Sequence, residues 1–241
     1  MKIAILLAGH TNNAMPPKFH DYNELFLALF NRSPFFGYFE FTTLPVVDDV
    51  FPDQIDDFDG YLITGSAYGV YDTAPFIPKL MKLIQQVYAA GKPLAGICFG
   101  HQIIAHSLGG KAQKWSHGWG LGIHDIELVD LPEWIDENIT MASLIHVHQD
   151  QVIKLPPGGR CFASSQFCKI AGYVIDKKVF TLQGHPEFYP EYTDALIDLI
   201  ENRTGSEVAA RAKLSLTRPH DGTKFGNWIL RFFATNKSVP G

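Results

Sequence analysis

A buried strand that turns directly into a helix constrains the fold of this sequence more than any other feature. The apolar run of residues 93–97 breaks at Cys98, and residues 100–108 have the apolar spacing of a helix. Gly96 and Gly100 flank the turn, and because they lack Cβ atoms the strand and the helix can approach closely. The turn predicts an α/β fold and places Cys98 where G-x-S-x-G hydrolases hold their nucleophile. The partial positive charge of a helix N-terminus favours a reactive thiolate at that position.

A histidine and a glutamate follow a second apolar strand far downstream. Residues 179–183 are predicted to form a buried strand that runs into the sequence Gly-His-Pro-Glu at 184–187. A thiol nucleophile needs a general base, and that base needs an acid to orient it. In an extended segment the side chains of His185 and Glu187 leave the same face, and the proline between them stiffens the pair. A lone cysteine or histidine is usually structural, but together these residues predict a triad of Cys98, His185 and Glu187.

Both motifs, with a third segment, resemble the class I (triad-type) glutamine amidotransferases. The third segment, Tyr-Leu-Ile-Thr-Gly-Ser at 61–66, matches the strand and glycine turn that form one wall of that family's oxyanion hole. The resemblance runs from Met1 to about Glu187, and it is to stand-alone members similar to the amidotransferase domain of GMP synthase and to γ-glutamyl peptidases. It implies that Cys98 attacks the side-chain amide of glutamine while His185, oriented by Glu187, moves the protons. Ammonia then leaves, and water hydrolyses the γ-glutamyl thioester to glutamate.

The same resemblance indicates which groups surround the reacting carbon. The tetrahedral intermediate carries an oxyanion that needs two preorganised donors, and we predict the backbone N–H groups of Gly65 and Phe99. Gln102 lies one helical turn beyond Cys98 and therefore on the same face of the helix. The resemblance implies four substrate-binding residues: Gln102, Ser66, His148 and Gln149.

The loop after the predicted oxyanion glycine carries two tyrosines and an aspartate, Tyr68, Tyr71 and Asp72. These side chains either form a lid over the pocket or are ordinary loop residues. The sequence leaves both interpretations open.

Three activities fit the residues. The first is a glutamine amidotransferase or glutaminase; the second is a γ-glutamyl peptidase that acts on glutathione-like conjugates; the third is a non-catalytic regulatory module. The sequence contains neither a phosphate loop nor the Ser-Gly-Gly motif of ATP pyrophosphatases, so a synthase that uses the ammonia would be a separate subunit or would be absent. Because a binding module would not require all of Cys98, His185 and Glu187, we favour an enzyme, and glutamine as its substrate.

Charge and cysteine content exclude several other classes of function. The net charge is −5, the pI is about 6.0 and no Lys/Arg cluster is present, which argues against nucleic-acid binding. No apolar run approaches the length of a membrane span. Three cysteines do not make a disulfide framework, and a nucleophilic thiol needs a reducing environment, so we expect a cytoplasmic location. Cys161 and Cys168 have no acid or base signature nearby, and we interpret both as structural.

No cofactor or metal is expected. The glycine-rich segment 118–122 does not fit a dinucleotide fingerprint, and we interpret it as a loop before a strand. His146, His148 and Asp150 alternate as they would along one face of a strand, which is compatible with zinc ligation. A polar strand edge is the interpretation that we favour.

The order of predicted elements indicates the whole architecture. Predicted strands at 3–7, 38–42, 60–64 and 93–97 alternate with predicted helices at 23–31, 78–90 and 100–108. This alternation predicts a doubly wound, flavodoxin-like, mostly parallel sheet flanked by helices, with ligands at the carboxyl ends of the strands. Short β-rich segments between 111 and 183 predict a mixed sheet edge, and helices follow at 191–202, 207–213 and 225–235. We expect one domain, 1–241, with a catalytic core at about 1–190 and a C-terminal helical extension at about 190–241.

Overall fold

The computed structural model describes residues 1–236, which form a large β-sheet with helices on both faces. The strands of this part of the chain are β1 (Lys2–Leu6), β2 (Glu40–Leu44), β3 (Gly60–Ile63), β4 (Leu94–Ile97), β5 (Lys111–Lys114), β6 (Gly120–Leu128), β7 (Met141–His148), β8 (Asp150–Lys154), β9 (Arg160–Ser164), β10 (Gly172–Ile175) and β11 (Val179–Leu182). The α-helices are α1 (Tyr22–Phe30), α2 (Phe76–Ala89), α3 (Phe99–Ser107), α4 (Pro190–Thr204), α5 (Ser206–Ser215) and α6 (Gly222–Thr235).

The main sheet has the order β2-β1-β3-β4-β11-β10-β9-β6-β7. The first five strands pair in parallel, and β10, β9, β6 and β7 continue the sheet with antiparallel pairings. This arrangement confirms the predicted α/β fold with a mixed, β-rich edge. In the parallel part, Ile63 of β3 pairs with Gly96 of β4, and Leu182 of β11 pairs with Ile97. The three strands therefore end side by side, and the segments that follow them emerge at one edge of the sheet.

Each face of the central parallel strands, those other than the edge strand β2, is buried against a different pair of helices. Along β1, Ile3 and Ile5 pack with apolar residues of α1 and α6, whereas Ala4 and Leu6 pack with those of α2 and α3. Successive side chains of a strand point to opposite faces, so burial on both faces requires a continuous apolar run. This requirement explains why the parallel strands were identifiable in the sequence.

Two strands and part of a third were not anticipated. β5 and β8 form a separate two-stranded antiparallel sheet, and β5 has the sequence Lys-Ala-Gln-Lys, which gives almost no apolar signal. The interpretation of residues 118–122 as a loop was wrong in part, because β6 already begins at Gly120. Glycine is depleted in strands, and Gly118, Gly120 and Gly122 alternate here, so the sequence did not indicate the first residues of β6.

The C-terminal helices are packed into the rest of the molecule. Buried aromatic residues of α6 share a hydrophobic cluster with α1 and the central strands, and α4 and α5 pack beside β6. On this packing we propose that the catalytic core and the helical extension form a single domain; residues 237–241 of that predicted extension lie outside the described part. Among the helices of residues 1–236, none is long and apolar enough to span a bilayer.

Candidate active site

Cys98 lies at the carboxyl end of β4, on the turn into α3. Its backbone has φ 53° and ψ −102°, and its N–H donates to the carbonyl of Leu182 at 2.8 Å. The two flanking glycines make the turn possible for steric reasons. A Cβ atom at Gly96 would lie 2.6 Å from the carbonyl of Gly100, and one at Gly100 would collide with the carbonyl oxygen of Ile63. The close approach expected from the sequence is therefore present, and the unusual φ belongs to the cysteine itself.

His185 and Glu187 form a buried pair directly after β11. The Nδ1 atom of His185 lies 2.7 Å from Oε1 of Glu187, and both side chains are almost completely buried. The backbone N–H of His185 donates to the carbonyl of Ile145 at 2.7 Å. The imidazole ring of His185 stacks on the ring of Phe188, with centroids 4.0 Å apart. Backbone and ring contacts thus fix the imidazole from two sides.

The electrostatics of this pair favour an imidazolium. Burial alone would lower the pKa of His185, but the charges of Glu187 and Cys98 outweigh burial and raise that pKa to about 10. A hydrogen bond from Nδ1–H to Glu187 also fixes the tautomer, which leaves Nε2 for the thiol side. The arrangement suits a histidine that exchanges a proton with sulfur and with a leaving group.

Gly65 lies against the side chains of both His185 and Cys98. A Cβ atom at this position would lie 2.9 Å from Cε1 of His185 and 3.7 Å from Cβ of Cys98. In the described residues, neither the Gly65 N–H nor the Phe99 N–H donates to a protein acceptor, whereas the Gly100 N–H bonds to the carbonyl of Thr64 at 3.2 Å. Unpaired backbone donors beside a nucleophile are the groups that an oxyanion hole requires.

A cavity of about 350 Å³ opens onto Cys98 and His185. The four side chains predicted to bind substrate all line it: Gln102, Ser66, His148 and Gln149. The Nε2 group of Gln102 donates to the carbonyl of Asp150 at 2.9 Å and to Oε1 of Gln183 at 3.1 Å. Nδ1 of His146 and Nε2 of His148 lie within hydrogen-bond distance at 3.1 Å, and Nδ1 of His148 lies 3.0 Å from the carbonyl oxygen of Asp150. Gln102 and His148 therefore hold the cavity wall through contacts within the protein.

The expectation that His146, His148 and Asp150 share one strand face was wrong. The first two belong to β7, and Asp150 begins β8 after the chain has turned. Burial lowers the pKa of His148 to about 3 and lowers the pKa of His146 well below its ordinary value, so both histidines are neutral. Within residues 1–236, no group of three or more His, Cys, Asp or Glu side chains has the geometry of a metal site.

Several cavity residues were missed by sequence reasoning. They come from distant parts of the chain: Tyr22, Lys114, Trp119, Phe188, Leu196, Ile200 and Arg203. The guanidinium of Arg203, near the end of α4, lies over the ring of Trp119 at 5.2 Å from its centroid. No local motif marks these residues, because tertiary packing alone brings α4 to the cavity. The two loop tyrosines at 68 and 71 also line the cavity and are about half exposed, as either earlier interpretation of that loop allows.

Comparison with known proteins gives the chain a family context. The family model for glutamine amidotransferase class-I matches residues 40–199. The chain is 30% identical to Gamma-glutamyl peptidase 3 of Arabidopsis thaliana over 89% of both chains. It is 31% identical to the GMP synthase of Limosilactobacillus reuteri over 53% of this chain and 24% of that protein. A glutamine amidotransferase from Thermotoga maritima shares the fold, with a TM-score of 0.75, 18% identity and 98% of each chain covered.

Proposed function

This chain belongs to the class-I glutamine amidotransferases, and from that membership we propose that it hydrolyses a γ-glutamyl amide through a thioester on Cys98. The observation that carries the proposal is the convergence of the strained Cys98, the buried pair of His185 and Glu187, and the unpaired N–H of Gly65. Each of these groups matches one requirement of acyl transfer: a nucleophile, an oriented base and an oxyanion donor.

The first half of the reaction forms the thioester. The sulfur of Cys98 attacks the γ-carbonyl carbon, and the carbonyl oxygen becomes an oxyanion between the N–H groups of Gly65 and Phe99. His185, protonated at Nε2, gives that proton to the leaving nitrogen as the C–N bond breaks. With glutamine as substrate, the leaving group is ammonia.

The second half consumes one water molecule. His185, now neutral, takes a proton from water, and the resulting hydroxide attacks the thioester carbon. The C–S bond breaks, Cys98 recovers its starting state with His185 protonated, and glutamate leaves. Glu187 stabilises the imidazolium whenever His185 is protonated, because its buried carboxylate lies 2.7 Å from Nδ1.

Charges of both signs are available for the amino-acid end of the substrate. A γ-glutamyl group ends in an ammonium and a carboxylate, which need an anionic and a cationic partner. Asp150 and Lys114 face one another in the β5–β8 pairing and both line the cavity. We assign the ammonium to Asp150 and the carboxylate to Lys114, with Ser66 and Gln149 beside them.

A γ-glutamyl peptide is the second candidate substrate. The similarity to Gamma-glutamyl peptidase 3 extends over nearly the whole chain, which favours this alternative over a regulatory module. For the glutamine reaction, any synthase that uses the ammonia would be a separate subunit. Because oxidation would destroy a thiol nucleophile, and all three cysteines of the chain are free, we propose a reducing compartment such as the cytoplasm.

Glutamate release tests the proposal directly. The purified protein is incubated with glutamine and with γ-glutamyl peptides, and the Cys98→Ala variant is compared with Cys161→Ala, whose thiol lies outside the cavity. We expect release that depends on Cys98 alone, and labelling of Cys98 by a glutamine-analogue electrophile in intact-mass measurements. Absence of both release and labelling would overturn the proposal.

A further inference from the structure

The cavity beside Cys98 has two chemically different walls. One wall is polar and comes from the loop after β3, the end of β5 and the turn from β7 into β8; it includes Ser66, Asp72, Lys114, Gln149 and Asp150. The other wall is apolar and comes from the residue before β6, from the segment between β11 and α4, and from α4 itself. It consists of Trp119, Phe188, Leu196 and Ile200, which belong to one hydrophobic cluster.

The apolar wall lies on the side from which the leaving group departs. His185 must protonate the leaving nitrogen, so that nitrogen departs next to the imidazole. The imidazole stacks face to face on Phe188, at 4.0 Å and with only 5° between the ring planes. Phe188 is continuous with Leu196 and Ile200 of the apolar wall. Gly65, one of the two proposed oxyanion donors, instead follows β3, as does the loop that contributes Ser66 to the polar wall.

One cationic side chain, Arg203, lies at the edge of this apolar wall. The guanidinium of Arg203 lies over the ring of Trp119, and this contact favours one position of an exposed side chain. In the described part of the chain, no carboxylate lies within 4 Å of this guanidinium, although the neighbouring helix α5 pairs its own Arg211 with Glu207. Arg203 also follows the residues matched by the family model, 40–199, so family membership assigns it no role.

Ammonia would gain nothing from such a surface. It is small and polar, and neither an apolar wall nor a cation at its edge would bind it. An amino acid linked through its nitrogen to the γ-glutamyl group has the complementary chemistry, because it has an apolar side chain next to a free carboxylate. Carboxylates bind guanidinium groups through paired, charge-assisted hydrogen bonds.

We propose that Trp119, Leu196, Ile200 and Arg203 form a leaving-group subsite for the amino-acid moiety of a γ-glutamyl peptide. The apolar side chain of that moiety packs on the wall, and its carboxylate binds Arg203. The inference rests on the proposed function, since it assumes that Cys98 takes the γ-glutamyl group from the same substrate. It makes Arg203 a determinant of specificity between glutamine and γ-glutamyl peptides.

Two substrates that differ only in the carboxylate test the subsite. These are γ-glutamyl-leucine and its C-terminal amide, and the readout is the ratio of their kcat/KM values. We expect the free acid to be preferred by about tenfold, the order expected for one charge-assisted contact. Arg203→Gln should bring the ratio close to one, Arg203→Lys should give an intermediate ratio, and the matched control Arg211→Gln should retain the wild-type ratio. A ratio near one in the wild type, or one that Arg203→Gln leaves unchanged, would overturn the subsite.

A binding measurement separates failure of the subsite from failure of the proposed function. Calorimetry on Cys98→Ala, which lacks the nucleophile, compares the Kd values of the acid and the amide without any turnover. Tighter binding of the acid that is lost on adding Arg203→Gln supports the subsite, and equal Kd values overturn it. Failure of the proposed function is a different result, namely no glutamate release and no labelling of Cys98.

Discussion

At the scale of single residues, backbone strain is concentrated at the proposed nucleophile. Four non-glycine residues of the described chain have a positive φ, and three of these are aspartates, which tolerate that region better than most residues. The fourth is Cys98, at φ 53° and ψ −102°. A conformation of this kind costs on the order of 1–3 kcal/mol and persists only where the surrounding fold enforces it. The bond from its N–H to Leu182, together with the glycines on both sides, provides that enforcement.

Relief of this strain should stabilise the protein although it removes the nucleophile. We expect Cys98→Gly to have a free energy of unfolding about 1 kcal/mol higher than Cys98→Ala, because glycine adopts this φ and ψ without a Cβ penalty. Urea denaturation of the two variants measures the difference. A more stable alanine variant, or equal stability, would contradict the assignment of strain to residue 98.

The carboxylate of Glu187 is expected to control the protonation of His185. Its charge is the largest of the effects that raise the pKa of His185 to about 10, against the opposing effect of burial. Glu187→Gln should therefore lower that pKa and reduce kcat by about 100-fold or more, since the imidazolium loses its partner. An NMR titration of the His185 ring measures the pKa, and an unchanged value would contradict this electrostatic role.

The same shift gives the sign of a pH effect on stability. The pKa of His185 is about 10 in the folded chain and near 6.5 in the unfolded one. Because the folded value is the higher, the stabilisation from this pair is fully present below pH 6.5 and is lost as the pH rises through 10. Urea titrations at pH 6.5 and pH 10 should show a larger loss of unfolding free energy for the wild type than for Glu187→Gln.

Sequence reasoning at this scale identified residue types but not their surroundings. Cys98, His185 and Glu187 could be proposed because thiol catalysis requires a base beside the thiol and an acid beside that base. The carbonyl of Ile145 and the ring of Phe188, which fix the imidazole, could not be proposed. Their contacts depend on a bridge between distant strands and on a loop conformation, neither of which leaves a local signal.

At the scale of secondary-structure elements, the site depends on how closely α3 approaches β3. The N–H of Gly100 bonds to the carbonyl of Thr64 at 3.2 Å, and this contact aligns the two proposed oxyanion donors. A methyl group at Gly100 would collide with the carbonyl oxygen of Ile63, which is backbone and cannot move aside alone. The helix would have to shift away from the strand.

The variant Gly100→Ala should therefore damage both stability and catalysis. We expect it to lower the free energy of unfolding by about 1–3 kcal/mol, the usual cost of overpacking, and to reduce kcat more than it changes KM. Gly37→Ala is the matched control, because a Cβ atom at Gly37 has no neighbour within 4 Å. Denaturation curves and steady-state kinetics of both variants check the prediction, which fails if Gly100→Ala behaves like Gly37→Ala.

The elements that the sequence predicted and those it missed differ in burial. Strands β1, β3, β4 and β11 are buried on both faces, and their apolar runs made them identifiable. β5 and β8 carry polar and charged side chains and pair only with one another, so they lacked that signal. Helix α4 was predicted, but its position beside the cavity was not, since the polarity pattern of a helix does not specify which neighbour it meets.

At the scale of the whole molecule, α6 belongs to the same core as the central strands of the sheet. Phe225, Trp228 and Phe232 are fully buried, in one cluster with residues of α1 and with Ile5 and Ile97 of the central strands. Large-to-small changes at such positions remove apolar contacts and leave cavities. A core shared in this way should make the molecule unfold as one cooperative unit.

Truncation of one buried side chain on α6 tests this cooperativity. Trp228 is 0% exposed and its Nε1–H donates to Oε1 of Glu137 at 2.9 Å, so Trp228→Ala should lower the free energy of unfolding by about 3–5 kcal/mol. Leu214→Ala is the control, because Leu214 is 71% exposed and its loss should change stability by less than about 0.5 kcal/mol. In both variants and the wild type, circular dichroism and loss of catalytic activity should follow one coincident transition. If Trp228→Ala instead produced an early transition that left activity intact, α6 would be a separate extension and the single-domain proposal would be wrong.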